Sequence, residues 1–381
     1  MGKIMKNVFV VGCKGLPANY GGFETFVENL TKRKINENIQ YHVACISDKT
    51  GDFTYNNAHC FNLCVKQKGG ARELVADIKA LKYIIKYVKE NDIKEFDVLI
   101  LACRIGLVIK KYAKKIHRLN GRIILNPDGH EWKRSKWNYF IRKYWKYSEK
   151  KMVKKADLIV SDSINIKKYI EEEYKKNNTT FIAYGADYEK NELNNKYNVF
   201  KLNNKIEDYG YYLVVGRFVP ENNYYEIIKE FMKTKTNKKL IIITNHQNNK
   251  LFDELEEKLH FSNDERIRFV GAIYDTDLLK QIRQMAFAYI HGHMVGGTNP
   301  SLLEGLALTK LNILYDCPFN KEVALDSALY FSKDNLKNII ERVEDLTKEE
   351  INRLDELSTN RIIKEYNWTK IVSRYENIFI K

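Results

Sequence analysis

Short apolar runs alternate with amphipathic stretches along most of the chain. "NVFVVGC" (7–13), "YHVACIS" (41–47), "FDVLILAC" (96–103), "GRIILNPDG" (121–129), "DLIVSDS" (157–163) and "TTFIAYG" (179–185) have the length and apolar content of buried strands. Between them, "FETFVENLTKRK" (23–34) places Phe23, Phe26, Val27 and Leu30 at helical spacing, and "ARELVADIKALKYIIKYVKEN" (71–91) reads as a long amphipathic helix. The theme returns with "YYLVVGRF" (211–218), "KLIIIT" (239–244), "IRFVGAI" (267–273), "AFAYIHG" (286–292), "LNILYD" (311–316) and "ALYFS" (328–332). Such alternation predicts an α/β protein with parallel, doubly wound sheets. Two series predict two Rossmann-like domains, and the Asn-rich stretch 189–205 reads as the linker between them.

Composition narrows the class. A chain of 381 residues is too long for one ordinary core and right for two. Its net charge of +15 favours anionic partners such as phosphorylated substrates or acidic lipid headgroups. Six scattered cysteines without a paired CxxC pattern read as reduced, buried thiols rather than a disulfide framework or zinc site. The basic start is followed by only a short apolar run, and no stretch approaches the ~20 apolar residues of a membrane span. The expectation is a cytoplasmic protein whose membrane contact is peripheral.

In doubly wound sheets, ligands bind beyond the carboxyl ends of the strands, so the loops there carry the candidate chemistry. "GCKGLPANYGGFE" (12–24) holds Gly12, Gly15, Gly21 and Gly22, which let the backbone approach a ligand, with Asn19 and Tyr20 in the same loop. "PDGHEWKRSKW" (127–137) gathers Asp128, His130 and Glu131, which can orient hydroxyls or take a proton. The segment 132–155 holds ten Lys/Arg, one acidic residue and Trp132, Trp137 and Trp145, the mixture that an anionic membrane interface attracts; nucleic acid is the weaker match. "VVGRFVPENN" (214–223) puts Arg217 just past a strand, placed to clamp a diphosphate. "GGTNPSLLE" (296–304) leads small, amide-rich residues and Thr298 into a helix N-terminus suited to phosphate, with Glu304 able to accept from ribose hydroxyls. The DxD pair Asp275 and Asp277 reads as a helix N-cap rather than a metal site.

These motifs, with "ADLIVSDS" and "YNWTKIVSRYENIF", resemble GT-B glycosyltransferases of family GT4 over essentially the whole chain, nearest the rhamnosyltransferase branch of capsule and cell-wall polysaccharide synthesis. The resemblance implies two Rossmann-like domains facing across a cleft, with a last helix crossing back: 1–190 plus 366–381 for the acceptor and 191–365 for the nucleotide sugar. It implies donor contacts from Gly21, Gly22, Arg217, Asn222, Gly297, Thr298, Asn299 and Glu304. Acceptor contacts fall to Asn19, Tyr20, Glu24 and Arg134, and chemistry to Asp128, His130, Glu131 and Arg217. Two departures stand out: Gly296 occupies the place of the first of two glutamates common in GT4 enzymes, and Asn222 that of a phosphate-binding lysine. The implied reaction is metal-independent, cofactor-free, retaining transfer of L-rhamnose from dTDP-β-L-rhamnose, in a β1-4 linkage, to an undecaprenyl-pyrophosphate-linked sugar. Its setting is the inner face of the plasma membrane. Rival readings are a transferase using a UDP- or GDP-sugar, a sugar-nucleotide epimerase, or a non-catalytic binding module.

Overall fold

The computed structural model describes residues 5–18, 21–134 and 136–380. The chain divides into two compact units, Met1–Tyr184 with Trp368–Lys381, and Gly185–Asn367. The first contains β1 (Lys6–Val11), α1 (Gly22–Lys32), β2 (Ile39–Ser47), β3 (Gly51–Tyr55), β4 (Ala58–Cys64), α2 (Gly70–Glu90) and β5 (Phe96–Leu101). It continues through α3 (Ile109–His117), β6 (Gly121–Asn126), α4 (Tyr139–Lys155), β7 (Leu158–Ser161), α5 (Ile164–Tyr174) and β8 (Thr179–Phe181). Its sheet runs β3-β4-β2-β1-β5-β6-β7-β8, and every neighbouring pair is parallel except β3 with β4. That antiparallel edge is missing from the strand series read off the sequence. Asn56 and Asn57, with φ of 48° and 58°, form the two-residue turn that reverses the chain there.

The second unit contains α6 (Asn195–Asn204), β9 (Tyr211–Val215), α7 (Tyr224–Met232), β10 (Lys239–Ile243), α8 (Lys250–Leu259), β11 (Ile267–Phe269) and α9 (Thr276–Gln284). Then follow β12 (Ala288–His291), α10 (Pro300–Leu308), β13 (Leu311–Tyr315), α11 (Pro318–Ala324), β14 (Leu329–Phe331), α12 (Leu336–Glu344) and α13 (Lys348–Arg361). Its sheet is wholly parallel, in the order β11-β10-β9-β12-β13-β14. The stretch 189–205 is not the linker expected of it. Asn194 caps α6 by accepting from the Lys196 and Tyr197 amides, and Tyr197 and Phe200, one turn apart, sink into the core beside Tyr211 and Tyr289. Two aromatic anchors at helical spacing outweigh the low helix propensity of the asparagines around them.

The chain ends in α14 (Trp368–Ile380), which belongs to the first unit. Trp368, Ile371, Val372, Tyr375 and Phe379 form its buried stripe. The Tyr375 ring lies 4.9 Å from that of Phe26, and Glu376 accepts from the Ile35 and Asn36 amides at 2.9 Å each. Burying such side chains contributes about 1.5–3 kcal/mol apiece, enough to fix a helix this distant in sequence.

Candidate functional site

In the second unit, strand order reverses between β9 and β12: one leads outward through β10 to β11, the other through β13 to β14. The carboxyl ends of these two strands therefore flank the switch point of the sheet. The loops leaving them are stitched together. Gly292 lets them approach, because a Cβ there would lie 2.2 Å from the Asn222 carbonyl oxygen. Asn223 Nδ2 donates to the Gly292 carbonyl at 2.7 Å, and the Met294 amide to the Glu221 carbonyl at 3.1 Å. Asn222 donates through Nδ2 to the Arg217 carbonyl at 2.7 Å and accepts from His293 Nδ1 at 2.6 Å. Asn222 thus ties the backbone of Arg217 to the glycine loop. The Arg217 side chain is exposed and pairs with nothing among the described residues.

The glycine loop enters α10 at Asn299, whose Oδ1 accepts from the Ser301 amide at 2.9 Å while its carbonyl accepts from Leu302 at 3.1 Å and Leu303 at 3.2 Å. Pro300 has no N–H. The first turn of the helix is thus spent, and any amide offered to an anion must come from Gly296, Gly297, Thr298 or Asn299 in the loop before it. Gly296 has φ of 122°, the left-handed region open to glycine, and Thr298 is buried. Glu304, in the second turn, is half-buried and anchored: Arg283 Nη2 meets its Oε2 at 2.6 Å and also donates to Ser301 Oγ at 3.2 Å.

In the first unit, the loop after β1 closes on Leu101. Gly12 has φ of 104°, and a Cβ there would lie 2.2 Å from the Leu101 carbonyl oxygen. Arg104, just beyond β5, binds the Gly12 carbonyl at 2.9 Å, the Leu101 carbonyl at 3.1 Å, Glu73 at 3.3 Å and Asp77 at 3.4 Å. Burial raises the Asp77 carboxyl to about 6, against the pull of Arg104. Ala102 holds φ of 68°, costly for a residue with a Cβ, and donates to the Asn126 carbonyl at 2.9 Å. Arg104 was absent from the residues singled out in the sequence, although it follows a strand end directly.

Glu24 is turned inward, its Oε1 accepting from the Lys14 amide at 2.7 Å, so it braces the loop. Gly21 caps α1 with φ of 131°, and Gly22 opens that helix. Asn19 and Tyr20 lie outside the described residues. Beyond β6, Asp128 takes φ of 64° and its amide donates to Asn126 Oδ1 at 2.9 Å. Burial pushes the Asp128 carboxyl up, only partly opposed by Arg134. Glu131 moves the other way. Burial would raise it, but Arg134 at 2.6 Å and Lys136 at 2.8 Å hold it below the ordinary range, and Trp137 Nε1 donates to it at 2.8 Å. The trio therefore splits: Glu131 and Arg134 brace each other, while Asp128 is the carboxylate disposed to hold a proton. His130 is buried edge-on to Tyr169 at 4.3 Å; burial, then Lys133 and Lys146, lowers it to about 4, so it is neutral near pH 7.

The basic aromatic segment forms α4, capped by Asn138. Ser148, Glu149, Met152 and Val153 face inward, while Phe140 is 79% exposed beside exposed Tyr139 and Ile141. Lys143 sits 4.4 Å over the Tyr139 ring and Lys151 5.2 Å over that of Tyr147. No helix among the described residues is long and apolar enough to cross a membrane.

One carboxylate trio among the described residues could approach a metal ion: Glu226, Glu230 and Asp334. It is already engaged by Lys229, by Lys233 at 2.5 Å from Glu230, and by the Asp334 amide at 2.5 Å from Glu226. Asp275 caps α9, its Oδ1 accepting from the Leu278 amide at 3.1 Å.

Comparison with known proteins agrees with this architecture. Residues 195–366 match the family described as glycosyl transferases group 1, and residues 5–187 match a domain of unknown function, DUF1972. Curated protein sequences give no match. Among solved structures, the chain resembles sucrose-phosphate synthase from Thermosynechococcus elongatus, with a TM-score of 0.79 at 12% identity and 98% of each chain covered. It also resembles a glycosyltransferase from Rickettsia africae, with a TM-score of 0.72 at 13% identity, covering 98% of this chain and 97% of that one. Anabaena HepE in complex with UDP gives a TM-score of 0.72 at 10% identity, covering 98% and 99%. At such identities the likeness establishes the fold, which is α/β GT-B. The chain carries a DUF1972 domain followed by a group 1 glycosyltransferase domain, which together with the fold supports a glycosyltransferase.

Proposed function

We propose that this protein is a retaining, metal-independent glycosyltransferase that moves L-rhamnose from dTDP-β-L-rhamnose to an undecaprenyl-pyrophosphate-linked sugar in surface polysaccharide synthesis. Use of a nucleotide sugar is supported by the group 1 domain, and by neighbours of the same fold whose structures hold UDP or UDP-2-fluoro glucose. The observation that carries the reading is at the switch point: an exposed Arg217 side chain with no partner among the described residues, on a backbone that Asn222 ties to the glycine loop. As the glycosidic bond breaks, negative charge grows on the nucleotide diphosphate. The Arg217 guanidinium and the loop amides receive that charge, and each such donor is worth about 3–4 kcal/mol. The acceptor hydroxyl gives its proton to the departing phosphate oxygen, while neutral His130 and the Asp128 carboxyl orient sugar hydroxyls. Arg283 fixes Glu304, leaving its other carboxylate oxygen for ribose hydroxyls.

Rhamnose as the transferred sugar rests on the sequence motifs and on Gly296, which removes a carboxylate from the donor loop. The acceptor's lipid anchor is supported by α4, whose lysines flank an exposed apolar tip of the kind that settles at an anionic membrane surface. The test is transfer by the purified protein from dTDP-rhamnose, UDP-glucose and GDP-mannose to lipid-pyrophosphate-linked sugars in vesicles. Product from dTDP-rhamnose alone is expected. Product from UDP-glucose alone would replace the donor while leaving the transferase reading; conversion of the donor without acceptor would identify an epimerase.

A further inference from the structure

A hydrogen-bonded chain runs inward from Glu304 and ends on a histidine absent from the residues singled out in the sequence. Arg283 Nη2 donates to Ser301 Oγ at 3.2 Å, Ser301 Oγ lies 2.9 Å from Tyr289 Oη, and Tyr289 Oη lies 3.0 Å from His291 Nδ1. Ser301 Oγ also lies 3.1 Å from the Val215 carbonyl oxygen. His291 closes β12 and Val215 closes β9, so the chain spans the switch point.

Counting protons fixes the direction of these bonds. The serine and tyrosine hydroxyls bring one proton each, and four contacts compete for them: Ser301 to Val215, Ser301 to Tyr289, Tyr289 to His291, and a longer one from Tyr289 to the Val215 carbonyl at 3.4 Å. The Val215 carbonyl only accepts, and of the two hydroxyls beside it the nearer, that of Ser301, donates to it, which frees the tyrosine proton for the 2.9 Å contact with Ser301. Ser301 Oγ then accepts from Arg283 and from Tyr289. With the tyrosine proton so used, the third contact is filled only if His291 Nδ1 carries hydrogen and donates to Tyr289. Reversing Tyr289 toward His291 leaves two oxygens facing each other without a proton. His291 is therefore the Nδ1–H tautomer, and its Nε2 is a bare lone pair. That atom is buried and has no hydrogen-bond partner among the described residues. Burial, and then His293, hold the ring well below the ordinary imidazole range, so it does not become a cation near pH 7.

A neutral acceptor at this place repels phosphate oxygens and selects a hydrogen-bond donor. We infer that His291 Nε2 accepts from a hydroxyl of the sugar moiety of the bound nucleotide sugar, supplying an acceptor in a loop where Gly296 carries no carboxylate. This rests on the reading of the second unit as a nucleotide-sugar site. A neutral nitrogen suits a sugar with few hydroxyls, because it satisfies one donor without burying a charge.

Two measurements on the full-length protein test it. Two-bond proton–nitrogen spectra of the histidine-labelled protein, with the resonance assigned by its loss in His291→Asn, should give the Nδ1–H pattern. The Nε2 signal should shift on adding dTDP-rhamnose but not dTDP. By calorimetry, His291→Asn, which keeps a donor toward Tyr289 and deletes Nε2, should bind dTDP within twofold of wild type and dTDP-rhamnose at least tenfold more weakly. Tyr289→Phe provides a second variant, with the same sugar-selective loss and a changed tautomer. An Nε2–H spectrum in the wild type, or equal effects on dTDP and dTDP-rhamnose, overturns the inference. If the wild type binds UDP-glucose rather than dTDP-rhamnose, the donor reading fails, and UDP against UDP-glucose decides the role of His291. A wild type with the Nδ1–H pattern that binds no sugar nucleotide overturns the ligand assignment and the transferase reading together.

Discussion

Arg283 and Glu304 meet at 2.6 Å, and the guanidinium side is almost wholly buried, at 3% exposure. One nitrogen of that guanidinium serves both the Glu304 carboxylate and Ser301 Oγ. A lysine ammonium sits on a shorter stem and is more strongly hydrated, so from this buried position it holds the two less firmly. Arg283→Lys should lower kcat/KM by roughly tenfold or more, through a carboxylate no longer held in place. Unchanged kinetics with a lowered melting temperature would make the pair purely structural.

Arg217 makes the opposite case. Its side chain is exposed and pairs with nothing among the described residues, so Arg217→Ala should alter stability by no more than about 0.5 kcal/mol. Turnover should fall by about 10²–10³-fold if the guanidinium receives leaving-group charge. Calorimetry and initial rates on one preparation separate the two effects, and full activity would remove Arg217 from the mechanism.

The closing helix offers a stability test remote from the site. Phe379 is fully buried, with its ring 6.2 Å from those of Tyr41 and Tyr375. Phe379→Ala should destabilise the first unit by about 3–5 kcal/mol, measured by urea unfolding. A loss below about 1 kcal/mol would mean that α14 is not integral to that core.

Acid should weaken the fold through buried imidazoles. Burial, then His59, lowers His42 to about 3, and His130 sits at about 4 for the reasons given above. Unfolded histidine titrates near 6.5. Between these values the unfolded chain binds more protons, so this stability is complete above about pH 6.5 and is lost as pH falls toward 4 and then 3. Asp77, raised to about 6, acts in the opposite sense between its unfolded value near 3.9 and 6. The informative quantity is therefore a difference: His42→Phe should show a flatter dependence of unfolding free energy on pH from 6.5 to 4 than wild type. Identical slopes would remove His42 from the acid response.

At the surface, Phe140→Ser removes the most exposed apolar side chain of α4 without touching its buried face. Co-sedimentation with phosphatidylglycerol vesicles should fall several-fold, with melting unchanged and wild-type binding weakened by salt. Equal sedimentation of both proteins would count against membrane docking through this helix.

Much of this was legible along the chain. Strand positions, the amphipathic helices, the Asp275 cap and the loops at strand ends followed from local periodicity and turn chemistry. The β3–β4 hairpin carried a readable Asn56-Asn57 signal that an eye trained on βα alternation passes over. Helix α6 was hidden by composition, because asparagines suggest loop even where Tyr197 and Phe200 supply the anchors. Arg283 offers no local sign at all: in "QIRQM" it reads as an ordinary surface residue, and only Glu304, twenty-one positions later, explains its burial.

The sequence by itself determined which segments become strands and helices and in what order they alternate, because those preferences depend on near neighbours. Tertiary structure alone decided which polar groups are consumed by one another and which stay open to a ligand. Glu24, Glu131, Arg134 and Asn222 found partners within the protein, while Arg217 and the Nε2 of His291 have none among the described residues. A hydrogen bond is settled by whatever group the folded chain brings within about 3 Å, and sequence distance carries no record of that.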